Sequence, residues 1–336
     1  MQKLLNFNEL KYDPSNSLGE GSFGVVHKGD FRGLDVAIKD LHSQTLSKDT
    51  IESFKAEALI MLDLRHKNIV QIYGYCIEPK PCIVMEYMEH GSLYDYLRKN
   101  LVISFETLFR LAMDIVKGVV YLHGEKMLHR DIKSLNVLLN EFDVAKLCDF
   151  GLSKVKSDTR SSITFKLVGT YPWLPPEQIL GKKFTFESDV YSMGMTLWEL
   201  VSHEIPFKDA QRPEYIPIRV LGGARETIPS TCPALFAVLI QWCWNVDPLK
   251  RPSANEVLQF LRNHENEIKT NTVNANSSLD LPPIAPKQTQ SPKSDNINQN
   301  MSVTNMENKL NNNNNVGKEL PIQTIGGSIM PITRNN

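Results

Sequence analysis

His129-Arg130-Asp131-Ile132-Lys133-Ser134-Leu135-Asn136, followed by Asp149-Phe150-Gly151, governs how the rest of the chain is read. The first stretch places an acid, a cation and an amide between positions 131 and 136, and the second adds another acid shortly after. These are the groups that hold a nucleoside triphosphate, its metal ions and an acceptor hydroxyl in line for phosphoryl transfer. One match of this kind arises by chance. The reading therefore depends on whether complementary parts stand in the right order around it.

Upstream, Gly19-Glu20-Gly21-Ser22-Phe23-Gly24-Val25-Val26 fits G-x-G-x-x-G-x-V. In dinucleotide-binding folds a helix starts at such glycines. Here Val25, Val26 and His27 continue a strand-like run, so the glycines read as the tip of a β-hairpin. Without Cβ atoms they let backbone N–H groups close over phosphate oxygens. Val36-Ala37-Ile38-Lys39 follows, and strand alternation sets Ala37 and Lys39 on one face. Ala37 is small enough to admit a flat adenine, and Lys39 can reach the α- and β-phosphates. A buried lysine needs an anionic partner, for which Glu57 in Phe54-Lys55-Ala56-Glu57 is the candidate. Asp131 would accept or orient the acceptor proton, mainly by position. Lys133 would neutralise charge on the γ-phosphoryl group. Asn136 and Asp149 are hard oxygen ligands suited to magnesium, with manganese as the alternative ion.

Composition sets wider bounds. The chain has 336 residues, 41% hydrophobic and 22% charged, with a formal net charge of −1. That is long enough for a large core divided between lobes. The balance gives no bulk electrostatic reason to expect nucleic acid or an anionic membrane as partner. The five cysteines are scattered without a C-x-x-C pair and read as reduced intracellular thiols. Gln2 stands where myristoylation needs glycine, no secretory signal is visible, and no apolar run is long enough to span a bilayer. The expected location is cytoplasmic.

Periodicity divides the chain. Leu18–Lys28 and Leu34–Asp40 read as strands separated by Gly29 and Gly33, as do Ile69–Tyr75 and Cys82–Tyr87. Between them Ile51, Phe54, Ala58, Met61 and Leu62 share a helix face, with Asp49 and Glu52 as a capping pair. From about residue 92 the pattern is helical: Leu108, Leu111, Ala112, Ile115, Val119 and Leu122 recur at helical spacing. Val190–Val201 is apolar nearly all round, which predicts a buried central helix. The fold class is α+β with two lobes. The expected organisation is a short N-terminal segment 1–9, a small antiparallel β-sheet lobe with one main helix over 10–87, and a larger helical lobe over 88–265. An Asn-rich low-complexity tail, expected to be disordered, fills 266–336.

With these motifs in order, about residues 10–265 resemble a eukaryotic protein kinase domain. The resemblance implies ATP and Mg2+ as cofactors and protein substrates with Ser or Thr acceptors. It assigns Leu18, Gly19, Glu20, Gly21, Ser22, Phe23, Gly24, Val25 and Val26 to the nucleotide-binding loop. Val26, Ala37 and Leu138 would sandwich the adenine. Met85 would be the gatekeeper, with Glu86, Tyr87 and Met88 as the hinge. It also implies a stacked spine of Met61, Ile72, His129 and Phe150 anchored by Asp189, and a buried Glu177–Arg251 ion pair. Lys133 and Gly169-Thr170 resemble Ser/Thr kinases, adding Thr170 to the catalytic set of Asp131, Lys133, Lys39 and Glu57. Met85–Leu93 and Ser188–Gly194 look like tyrosine kinases, and the mixture resembles the tyrosine-kinase-like group, leaving dual specificity open. Pro175-Pro176-Glu177 departs from the usual Ala-Pro-Glu and leaves the shape of the substrate loop open. Arg130 and the hydroxyls from Thr159 to Thr164 imply activation by loop phosphorylation, by an upstream kinase or by a second copy in trans. A pseudokinase is the competing reading, but none of the residues whose loss would mark one is missing. Cys148, next to Asp149, reads by default as core packing and is also a candidate target for electrophilic ATP-site ligands.

Overall fold

The computed structural model describes residues 4–21, 24–41, 48–100, 102–150 and 170–270; of Gly21, residues 48–50, Ser53 and Glu57 it describes the backbone alone. Five strands form one antiparallel sheet: β1 Leu10–Gly21, β2 Gly24–Phe31, β3 Leu34–Leu41, β4 Ile72–Cys76 and β5 Cys82–Glu86, in the order β1-β2-β3-β5-β4. The predicted strand Leu18–Lys28 is thus two strands, and the pairing Gly21↔Gly24 closes the hairpin whose tip the glycine pattern marks. β1 begins eight positions earlier than expected, at Leu10. Its polar Asp13-Pro14-Ser15-Asn16 hid it, and this edge strand, mostly exposed, tolerates a residue without an N–H.

Alternation along β3 divides the sheet faces. Ala37 joins the main core, in which Phe54, Ala58, Met61 and Leu62 of α1 (Lys48–Asp63) are buried. Val36 and Ile38 belong to a second, smaller cluster with Leu10, Cys76, Cys82 and Val84. Gly24 is required by close approach: a Cβ there would lie 1.7 Å from the carbonyl oxygen of Asp40. Gly19 faces open space, so the sheet itself places no demand on it.

The larger lobe is built on α3 (Phe105–Gly124) and α5 (Phe186–Ser202). Ser104 caps α3 by accepting from the Thr107 N–H, and the six predicted core residues of this helix are all buried. In α5 every residue from Ser188 to Leu200 is buried, as the all-round apolar pattern predicts. Shorter helices surround them: α2 Leu93–Lys99, α4 Pro176–Ile179, α6 Ile216–Leu221, α7 Ala234–Cys243 and α8 Ala254–Asn263, the last opened by a Ser253/Glu256 capping box. A final helix, α9 (Glu265–Thr270), buries Ile268. Residues 271–336, the rest of the expected tail, lie outside the described residues.

The Glu177–Arg251 pair implied by the resemblance is formed. Arg251 Nη1 and Nη2 donate to the two Glu177 oxygens at 2.7 and 2.9 Å, with the arginine side chain fully buried. Ser188 Oγ donates to the same carboxylate at 3.1 Å. Pro175, in place of the usual Ala, precedes α4 in extended conformation and leaves this pair intact. Removing one partner of a buried pair strands the other charge. Glu177→Ala is expected to cost about 3–5 kcal/mol, read as a lower urea midpoint at unchanged m-value. A loss below about 1 kcal/mol would contradict this energetic reading.

Candidate functional site

A small second sheet brings the acidic loops together. It consists of β6 (Gly91–Ser92), β7 (Val137–Leu139), which starts directly after Asn136, and β8 (Ala145–Leu147), which ends directly before Cys148-Asp149. The register of β7 and β8 pairs Val137 with Leu147. The Cys148 N–H donates to the Asn136 carbonyl at 3.0 Å, which continues the ladder to the edge of the site. A hairpin thus places Asn136 beside Asp149, although thirteen positions separate them in the chain.

Around Asp131 the side chains form a closed set. Asn136 Nδ2 donates to the Asp131 carbonyl at 2.7 Å and to its carboxylate at 3.0 Å. Lys133 Nζ lies 3.1 Å from the same carboxylate and donates to Thr170 Oγ1 at 3.1 Å. The Thr170 hydroxyl in turn donates to Asp131 Oδ1 at 3.4 Å. A hydroxyl therefore already sits between the acid and the cation, where an acceptor hydroxyl would need to stand.

Across the cleft Lys39, 2% exposed, donates to Asp149 Oδ1 at 2.6 Å. This is the anionic neighbour that a buried ammonium requires. The expected partner Glu57 lies on α1, but its side chain is outside the described residues. Ser22 and Phe23 lie outside them too, as do Gly151 and the loop hydroxyls from Ser153 to Thr164. Leu18, Gly19 and Glu20 are exposed on β1, while Val25 and Val26 are half-buried on β2, with Val26 paired to Lys39. Ala37, Met85 and Met88 are buried and Leu138 is half-buried. The Glu86 side chain accepts from Lys146 on β8 and from the Gln71 N–H.

The predicted spine is packed. His129 and Phe150 meet edge-on at 6.1 Å, and Met61, Ile72 and Phe150 line the same narrow pocket behind Lys39. Burial pushes the His129 pKa down, so the ring stays neutral. Asp189 accepts from the backbone N–H groups of His129 and Arg130, both at 2.8 Å. Cys148 is buried in this pocket, and burial pushes its thiol well above the ordinary value. That argues against the expected reactivity toward electrophiles, because the thiolate is the nucleophile.

The donor set suits a hard divalent cation. Asn136 and Asp149 offer oxygen ligands, and among the described residues no group of three or more His, Cys, Asp or Glu forms a protein cage. Two protein oxygens completed by phosphate oxygens and water suit a hard divalent ion better than zinc.

Sequence reading missed Glu199. It is fully buried in α5 and accepts from Ser134 Oγ at 2.5 Å, the Ser134 N–H at 3.3 Å and Trp173 Nε1 at 2.7 Å. It thereby joins the His129–Asn136 stretch to the segment that follows Thr170. In sequence it is one carboxylate in an apolar helix. The only available signal was that an acid so placed needs buried donors. Burial pushes its pKa up to about 7, against the hydrogen bonds that favour the anion. A raised carboxyl stabilises the fold fully below its ordinary 4.5, and that stability is lost as pH rises through about 7. Wild type should therefore lose about 3 kcal/mol relative to Glu199→Gln between about pH 5 and about pH 8. Parallel stability curves across that range would contradict the assignment.

Comparison with known proteins shows the family. The family model described as protein tyrosine and serine/threonine kinase matches residues 13–261. A probable serine/threonine-protein kinase of Dictyostelium discoideum is 42% identical over 260 residues, covering 76% of this chain and 28% of that protein. Stress-activated protein kinase alpha of the same organism is 42% identical over 281 residues, covering 80% and 44%. A serine/threonine-protein kinase of Arabidopsis thaliana is 37% identical over 266 residues, covering 79% and 46%. The chain spans less than half the length of these relatives. Members of the family use ATP and a divalent metal and act on proteins, and no described helix is long and apolar enough to cross a membrane. With the Lys39–Asp149 pair, the Asp131 cluster and the family match in agreement, the chain belongs to the protein tyrosine and serine/threonine kinase family.

Proposed function

We propose that this chain is an active kinase that transfers the γ-phosphoryl group of Mg-ATP to Ser and Thr hydroxyls of proteins. The observation that carries the proposal is the Asp131–Lys133–Thr170 arrangement, in which a hydroxyl lies against both the acid and the cation. The relatives named serine/threonine kinases support the same acceptor.

In this reading Asp131 orients the acceptor hydroxyl and takes its proton late, since an ordinary carboxylate is a weak base and the transition state is loose. Lys133 faces the oxygens that carry charge during transfer. Lys39 holds the α- and β-phosphates, with Glu57 proposed to steady it, and the hairpin glycines close over them. Asn136 and Asp149 would hold the magnesium, which screens the phosphate charge when bound. Thr170 positions Lys133 against Asp131 until substrate arrives. Val26, Ala37 and Leu138 would enclose the base beside Met85, Glu86 and Met88.

Regulation by phosphorylation within Thr159–Thr164 remains part of the proposal. Arg130 Nε is buried without a hydrogen-bond partner among the described residues, as a phosphate-binding arginine would be before modification. We also propose a kinase domain over about 10–265 and a cytoplasmic location.

The test is phosphotransfer from Mg-ATP to a generic protein substrate, followed by phosphoamino-acid analysis. Wild type should yield phosphoserine and phosphothreonine. Asp131→Asn should lower kcat by about 100-fold or more while the unfolding midpoint stays in place. Thr170→Ser should retain transfer better than Thr170→Ala. Phosphotyrosine in quantity would replace this reading with dual specificity. No transfer by wild type, even after treatment with an activating kinase, would reject it.

A further inference from the structure

The small lobe holds a second set of reactive side chains that phosphoryl transfer does not use. Cys76 ends β4 and Cys82 opens β5, and the two are Cα partners in the antiparallel register. Both are free thiols at 0% exposure. Directly opposed antiparallel residues have Cα atoms about 4.5–5.5 Å apart, inside the roughly 4.4–6.8 Å spanned by disulfides. Paired in this way, the two thiol side chains stand side by side on the same face of adjacent strands. Cys76 Sγ also donates to the Leu5 carbonyl at 3.5 Å.

The N-terminal segment covers this face of the sheet. The Leu5 N–H donates to the Tyr75 carbonyl at 2.9 Å, and the Leu5 side chain fills the space beside Gly74, where a Cβ would meet it at 2.5 Å. The surroundings do not form a metal site. Nearby Asp40 is engaged by Lys80 at 2.7 Å, by the Tyr12 hydroxyl and by His27, and no described cluster has a ligand set. The pair is asymmetric: the neighbouring thiol raises the Cys82 pKa and lowers that of Cys76.

We propose that Cys76 and Cys82 are a peroxide-responsive modification site of the small lobe, closed by the Leu5 segment and oxidised to a cross-strand disulfide when that segment opens. The Cys76 thiolate attacks one oxygen of hydrogen peroxide, expels hydroxide and becomes the sulfenic acid. The Cys82 sulfur then attacks the Cys76 sulfur and displaces the second hydroxide. The two thiol protons leave with the hydroxides as two waters, so two thiols are oxidised and one peroxide is reduced. The bond joins β4 to β5, whose Ile72 and Met85 line the pocket behind Lys39. It also removes the S–H that tethers the Leu5 carbonyl.

The test treats the full native chain with hydrogen peroxide, alkylates the remaining thiols and maps peptides without reduction. The expected product is a Cys76–Cys82 cross-link, lighter by two hydrogens and reversed by dithiothreitol. Cys148 and Cys243 should remain available to alkylation after unfolding. Leu5→Ala should speed cross-linking several-fold by thinning the cover, and Cys82→Ser should leave Cys76 as a sulfenic acid trapped by dimedone. Wild type in which Cys76 and Cys82 stay reduced while the half-buried Cys232 is oxidised would overturn the proposal. A cross-linking rate unchanged in Leu5→Ala would overturn the role of the covering segment.

Discussion

The Asp189 carboxylate is the contact on which the site depends. Its two oxygens accept from the N–H groups of His129 and Arg130, and His123 Nε2 lies 3.1 Å away. Arg130 has φ of 67°, in the left-handed region that a side chain seldom adopts. Such a conformation costs of order 1–3 kcal/mol and persists only where surrounding contacts enforce it. Charge-assisted bonds from a buried aspartate are strong enough to do so. The turn they hold aims Asp131 at Lys133 and Thr170 and orients His129 toward Phe150.

The same helix carries the other polar anchors. Ser188 donates to Glu177, Ser192 donates to the Trp173 carbonyl, and Glu199 binds both Ser134 and Trp173. One buried helix thus fixes the His129–Asn136 stretch on one side and the segment after Thr170 on the other. Its apolar residues supply the burial that makes those few polar contacts unexchanged with water and therefore rigid. Function in the cleft rests on an element that never faces it.

Local patterns in the sequence revealed much of this. Strand alternation gave the shared face of Ala37 and Lys39, and the glycine pattern with a following strand gave the hairpin tip. Helical spacing gave the buried faces of α3 and α5. What stayed hidden depends on tertiary distance. Nothing local says that Glu199 meets Ser134, or that Cys76 and Cys82 share a register. The strand over Leu10–Ser17 was concealed by its polarity, because an edge strand needs few apolar residues. The Lys39–Asp149 contact was not anticipated either, since the motif logic tied the lysine to Glu57.

The most direct measurement is a comparison of Asp189→Asn with wild type in steady-state phosphotransfer, alongside ATP affinity from equilibrium binding. An amide nitrogen cannot accept from a backbone N–H, so one of the two bonds that enforce the strained turn is lost. The account predicts a kcat lower by about tenfold to 100-fold, the equivalent of one charge-assisted hydrogen bond, with ATP affinity nearly unchanged. An unchanged kcat in a folded variant would contradict it, because the turn would then hold its catalytic geometry without the carboxylate.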